Sequence, residues 1–251
     1  MVIPYCQGRA VGVTRITFDP EANKVLAVDS FLAPTFGDQT VPDARVQAVI
    51  DKYNKDLAPL MAEVLAQAPN GIVRNYDGES AMGKLVADIM RKVAKAEIAF
   101  TNAGGLRTDI PPGPITPGKV WEVIPFDNTI VTMKLTGAQI LDLLANRSKG
   151  MVQTSGLKFT WKEIPGNTNR REIVSAQLSD GRPLGSNATY FVCTNDFVAG
   201  GGDNFTAFKS GTSLVNTQIL LRDAVIDYLR HEGAAGRPVT PVVEGRAVLV
   251  K

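Results

Sequence analysis

Histidine is nearly missing from this chain: His231 is the only one among 251 residues. Zinc hydrolases and dimetal phosphoesterases rely on several imidazole ligands, so the composition argues against a dimetal catalytic centre built from these residues. His231 falls at the end of a helical pattern, where a solvated, cap-like histidine is expected. Cysteine is almost as scarce. Cys6 and Cys193 are too few for a disulfide framework or a thiolate metal site, and leave open either one bridge or two reduced thiols. Charge imbalance is also lacking: 27 Lys and Arg face 25 Asp and Glu, net +2, which gives no argument for a nucleic-acid partner. No run of about 18 apolar residues occurs, so no membrane-spanning helix is expected. The opening MVIPYCQGRAVGV has neither the basic start nor the long apolar stretch of a signal peptide. Either the protein is cytoplasmic, or a leader and whatever followed it have been removed.

What remains is an ordinary globular composition, 44% apolar and 21% charged, long enough for one large domain or a domain with part of another. Residues 11–30 read as two short strands around Asp19-Pro20-Glu21-Ala22-Asn23, with Thr14, Ile16 and Phe18 on one side. The strand begins almost at the first residue, which suggests a chain entered partway through something larger. Asp43 is a plausible N-cap for a long amphipathic helix that should end near 68–70, with Pro59 as a possible kink. A second helix is expected over 80–93, and a strand over 97–101. Strands are expected at 120–126 and 129–135, then a helix capped by Thr136. Further strands fall near 157–161, 172–178 and 189–194. A last helix over 217–230 should bury Ile219, Leu220, Val225 and Leu229, and a short strand closes the chain. Strands and helices mix without strict βαβ alternation, which predicts an α+β, layered α/β/β/α architecture.

The stretch 194–205, TNDFVAGGGDNF, places consecutive glycines between two aromatics and two carboxylates. It is too glycine-rich for the interior of a strand or helix. It is either a tight surface turn or a loop that lets a ligand approach Phe197 and Asp203. The stretch 101–110, TNAGGLRTDI, ends a strand in an Asn, a double glycine and an Arg. The bend can turn Asn102 and Arg107 toward one point, and an arginine fork suits phosphate; the bland alternative pairs Arg107 with Asp109. Two GxxxxGK segments, at 78–84 and 113–119, continue with Leu85 and Val120 where a nucleotide loop needs Ser or Thr. Neither is a P-loop.

Taken in order, N-x-G-G-x-R-x-D-I, G-x-I-T-x-G, P-F, L-T-G and T-N-D-F-x-x-G-G-G-D-x-F closely resemble the C-terminal domain of 5′-nucleotidases, a group that includes periplasmic UDP-sugar hydrolases and animal ecto-5′-nucleotidase. The resemblance covers residues 71–250. It implies that 1–42 is the tail of an N-terminal metallophosphoesterase domain with its linker, 43–70 a connector helix, and 71–251 the nucleoside-binding domain. It implies a base stacked between Phe126 and Phe197, ribose hydroxyls on Asp203, and ribose and phosphate on Asn102 and Arg107. Gly104 and Gly201 complete the implied substrate set. The stacking is physically reasonable, since a base on an aromatic is worth about 1–3 kcal/mol and any base qualifies.

Two features depart from the family pattern. The usual arginines before an E-x-x-x-G-N-L helix are reduced to Arg74 at a shifted spacing, which leaves Arg74 as a possible phosphate contact, and Lys84 stands where the Asn belongs. The D-x-H and G-N-H-D/E metal segments are absent. The expectation is therefore a recognition domain for a nucleoside or nucleotide ligand, with no cofactor and no catalytic residue of its own. The parent enzyme's two divalent metal ions would sit in the N-terminal catalytic domain, its natural partner. The resemblance also implies a periplasmic or extracellular home. Two other readings stay open: a stand-alone nucleotide-binding or interaction protein, and a relative acting on 2′,3′-cyclic nucleotides or UDP-sugars.

Overall fold

The computed structural model describes residues 8–37, 41–147 and 149–250. Cys6, and with it any bridge to Cys193, lies outside the described residues. The chain divides between Leu57 and Ala58 into two compact units. In the first, strands β1 (Ala10–Asp19) and β2 (Lys24–Pro34) pair antiparallel around the expected turn. Asp19 Oδ1 accepts from the backbone N–H groups of Glu21 at 2.9 Å and Ala22 at 3.0 Å, which is why an aspartate opens this turn. Helix α1 (Ala44–Ala62) starts behind Asp43, whose carboxylate caps the N–H groups of Arg45 and Val46. It ends at Ala62, short of the predicted 68–70, because Ala66 to Ala68 are already extended as strand β3 (Ala66–Ala68).

The second unit carries the core. Helix α2 (Ala81–Ala94) opens on Ser80, whose hydroxyl accepts from Gly83 N–H, and buries Met82, Leu85, Val86 and Ile89 at helical spacing. Strand β4 (Ile98–Asn102) is buried along its whole length, and β5 (Gly113–Ile115) pairs with β3. Helix α3 (Pro117–Val123) corrects the strand predicted over 120–126. Thr116 caps it, and Pro117 occupies the first turn, where a missing N–H costs little. Strand β6 (Thr129–Thr136) leads through a Thr136–Gln139 capping box, stabilising by about 1 kcal/mol, into α4 (Gly137–Ala145). Strands β7 (Val152–Ser155), β8 (Leu157–Ile164), β9 (Asn167–Leu178) and β10 (Thr189–Asn195) follow, then the single turn α5 (Asp196–Ala199). The chain ends in β11 (Thr212–Leu220), α6 (Leu221–Ala234) and β12 (Ala247–Leu249). The last helix starts at Leu221 rather than near 217 because the preceding segment pairs with β6, and Ile219 is exposed instead of buried. His231 lies exposed in the final turn of α6, as expected.

The central sheet has the order β11-β6-β10-β4-β7, and within it β4 and β10 run parallel. Alternate residues of its inner strands point to opposite faces. Ala99, Ile130 and Cys193 join one core with α2, α3 and α6. Ile98, Phe100, Val131, Met133 and Val192 join a second core with α4 and the small β12-β8-β9 sheet. The result is the α+β layering that the sequence predicts. Burial pushes the Cys193 thiol up to about 12, so it is a packing residue. Among the described residues no helix is long and apolar enough to cross a membrane.

Candidate functional site

The site follows from sheet topology. β4 and β10 are parallel neighbours, so their last residues, Asn102 and Asn195, emerge side by side. Asn195 Nδ2 donates to Asn102 Oδ1 at 3.2 Å. β6 is antiparallel to β10, with Ile130 opposite Asn195, so the segment leading into β6 arrives at the same edge. Three segments far apart in sequence thus converge beyond the carboxyl ends of two parallel strands, the position where open α/β sheets hold ligands.

A cavity of about 500 Å³ opens there. Of the substrate residues expected from sequence, Asn102, Gly104, Arg107, Phe126, Phe197 and Asp203 line it together. Phe126 is 46% exposed and Phe197 49%, large values for phenyl rings with a packed core a few residues away. Asp203 sits in left-handed backbone conformation, φ 52°, a region that Asp tolerates better than most residues. Two asparagines hold it there: Asn102 Nδ2 donates to Asp203 Oδ2 at 2.6 Å, and Asn146 Nδ2 to the Asp203 carbonyl at 3.0 Å. Asn195, Asn102 and Asp203 therefore form one polar chain that presents the carboxylate at the cavity.

The glycine run has a specific geometric use. Gly201 has φ +86°, and a Cβ on Gly202 would stand 2.5 Å from the Phe197 ring. A side chain at 201 would be strained, and one at 202 would displace the phenyl group. Gly201 itself does not line the cavity. Neither does Arg74, whose N–H donates to Asp109 and whose guanidinium donates to the Leu106 carbonyl at 3.0 Å. Arg74 buttresses the 106–109 loop. Arg107 lines the cavity and donates to the Gly104 carbonyl at 3.0 Å, and Asp109 is engaged by the Arg74 backbone.

Sequence reasoning missed Tyr76, Asp127 and Asn128, all on the lining. Asp127 and Asn128 directly follow the P-F pair, which was the available signal; Tyr76 lies in an aperiodic loop and gave none. Among the described residues no three His, Cys, Asp or Glu side chains gather as a metal requires. The lining offers aromatic faces, a carboxylate able to accept two vicinal hydroxyls, amides and one guanidinium.

The fold and cavity define a ligand-binding α+β domain whose polar groups collect at parallel strand ends. A family profile described as "5′-nucleotidase, C-terminal domain" matches residues 61–210, and the chain belongs to that family. It is similar to the crystal structure of a 5′-nucleotidase precursor from Thermus thermophilus, with a TM-score of 0.77 and 32% identity over 97% of this chain and 50% of that one. It is also 30% identical over 231 residues to the cell wall protein Lmo0130 of Listeria monocytogenes, covering 82% of this chain and 29% of that protein. The NAD 5′-nucleotidase of Haemophilus influenzae is 26% identical over 192 residues, 66% of this chain and 32% of that protein. The chain thus spans half or less of the length of each of these relatives.

Proposed function

We propose that this chain is the substrate-recognition domain of a 5′-nucleotidase-like phosphoester hydrolase and that its cavity takes a nucleoside or nucleotide. The base stacks between Phe126 and Phe197, Asp203 accepts the ribose hydroxyls, Asn102 sets the carboxylate, and Arg107 faces the phosphate. One observation carries this reading: residues from three separate segments, of the types a nucleoside needs, line a single cavity of about 500 Å³. A flat ligand with vicinal hydroxyls matches two half-exposed phenyl rings beside a carboxylate. The phenyl pair favours a base-containing ligand over a sulfur-bearing one.

Bond cleavage in this reading belongs to a metal-bearing catalytic domain, which supplies the ions that activate water and offset phosphate charge. The protein works outside the cytoplasm, in the periplasm or extracellularly, as part of nucleotide catabolism. The test is calorimetric titration with adenosine and AMP, combined with a phosphate-release assay. The expected result is weak binding of both ligands and no phosphate release from AMP. Absence of adenosine binding contradicts the recognition role, and turnover that survives a chelator contradicts the division of labour.

A further inference from the structure

A base clamp works only if its two walls stand at one separation, and the structure holds a connection between them behind the cavity. Asp196, which does not line the cavity, accepts two hydrogen bonds on the single atom Oδ1. One comes from Asn128 Nδ2 at 2.5 Å, two residues after Phe126, and the other from the backbone N–H of Phe197 at 2.8 Å. One carboxylate oxygen therefore joins the Phe126 segment to the backbone of Phe197. The carboxylate is not needed to start α5, because Asn195 already caps that turn by accepting from Val198 N–H at 2.9 Å.

The Phe126 segment is held from its other side by Arg222 of α6, a side chain only 3% exposed. Its Nη1 donates to the carbonyls of Ile124 at 3.3 Å and Phe126 at 3.2 Å, and its Nη2 to Asp127 Oδ1 at 2.5 Å. The guanidinium lies 3.3 Å from the centre of the Trp121 ring, and the next residue back, Leu221, donates its N–H to the Asn128 carbonyl at 2.8 Å. The segment is thus anchored to α6 and tied to the facing loop through one shared side-chain oxygen, Asp196 Oδ1.

We infer that Asp196 is a positioning residue that couples the two aromatic walls, with Arg222 as the anchor of the Phe126 side. Its consequence for ligands rests on the cavity being a base clamp, whereas the coupling itself is a property of the ligand-free chain. The test places 4-fluorophenylalanine at position 126 and follows its ¹⁹F resonance without ligand. Asp196→Ala should shift or broaden that signal, and Asp196→Asn, which keeps a carbonyl acceptor, should leave it close to wild type. Adenosine affinity should fall about tenfold in Asp196→Ala and less than about threefold in Asp196→Asn. Affinity for ribose 5-phosphate, which has no base to stack, should not change in either.

An unmoved signal at position 126 in Asp196→Ala overturns the coupling. So does equal weakening of adenosine and ribose 5-phosphate, which marks general damage. If Asp196→Ala fails to fold, Asn128→Ala breaks the same bond from the other side, and the label at position 197 should then respond. If wild-type protein binds no adenosine, the functional reading fails, while the fluorine signals still decide whether the walls are coupled.

Discussion

The cavity at the ends of β4 and β10 can be set against a larger one, about 640 Å³, between α2, α6 and residues 238–241. The larger cavity is the more charged, yet its carboxylates serve the fold. Asp88 accepts from Arg246 at 2.7 and 3.0 Å, Lys84 at 3.0 Å and Ser155 at 2.5 Å. Glu232 takes a two-pronged contact from Arg237 at 2.7 and 2.8 Å. Lys92 lies over the Tyr228 ring. In the smaller cavity the hydrogen bonds lie behind the groups and aim them, while two phenyl faces stay open. Convergence of chemistry marks the candidate site better than volume or charge.

That contrast predicts opposite phenotypes for the two cavities. The largest effect is expected for Asp203→Ala, which should weaken adenosine by about 10- to 100-fold, the range for losing hydrogen bonds to a charged group. Its stability should fall only modestly, by about 1 kcal/mol, because Ala tolerates the left-handed backbone less well than Asp and the buried Asn102 amide loses this acceptor. A large loss of thermal stability with intact affinity would reverse the roles assigned to the two cavities. Arg107→Ala should weaken AMP about tenfold and leave adenosine nearly unchanged, which titration of both ligands checks.

Asp88→Asn should do the reverse, lowering stability by about 1–3 kcal/mol in denaturant titrations while adenosine affinity holds. Burial opposes ionisation of Asp88, but hydrogen bonds from Arg246, Ser155 and Lys84 outweigh it and hold the carboxyl below its usual range. A depressed carboxyl contributes stability above the unfolded value and loses it as pH falls through the folded one. The gap between wild type and Asp88→Asn should therefore be full at neutral pH, begin to narrow below about pH 4, and close as pH falls through the lowered folded value. The smallest effect is expected for Arg74→Ala, less than about twofold on AMP, because its guanidinium is turned onto the Leu106 carbonyl.

The parts of the site legible in the sequence were those whose chemistry is local. A glycine run beside Phe197 and Asp203 shows itself because Gly201 and Gly202 meet a backbone and contact requirement within the run. Asn102, Gly104, Arg107 and Phe126, named through the family resemblance, line the cavity too, whereas what was missed depends on topology. Tyr76 lines it from a loop that no periodicity describes, and Asp196 matters through a bond to Asn128 that forms only once β6 and β10 pair. Arg74 was a possible phosphate contact by family resemblance, at a shifted spacing, and the structure turns its backbone N–H onto Asp109 and its guanidinium onto the Leu106 carbonyl. In the fold, the α+β class and most elements followed from period and turn chemistry. The misread strand at 120–126 failed because β-branched residues outweighed Thr116 and Pro117, a helix start in plain view.

The central claim is that Phe126 and Phe197 grip a base while Asp203 holds its ribose, and adenosine titration of wild type against Phe126→Ala/Phe197→Ala tests it most directly. The account predicts measurable binding to wild type and a loss of about tenfold or more for the paired substitution, with the fold retained by circular dichroism. Equal adenosine affinity in the two proteins would contradict it.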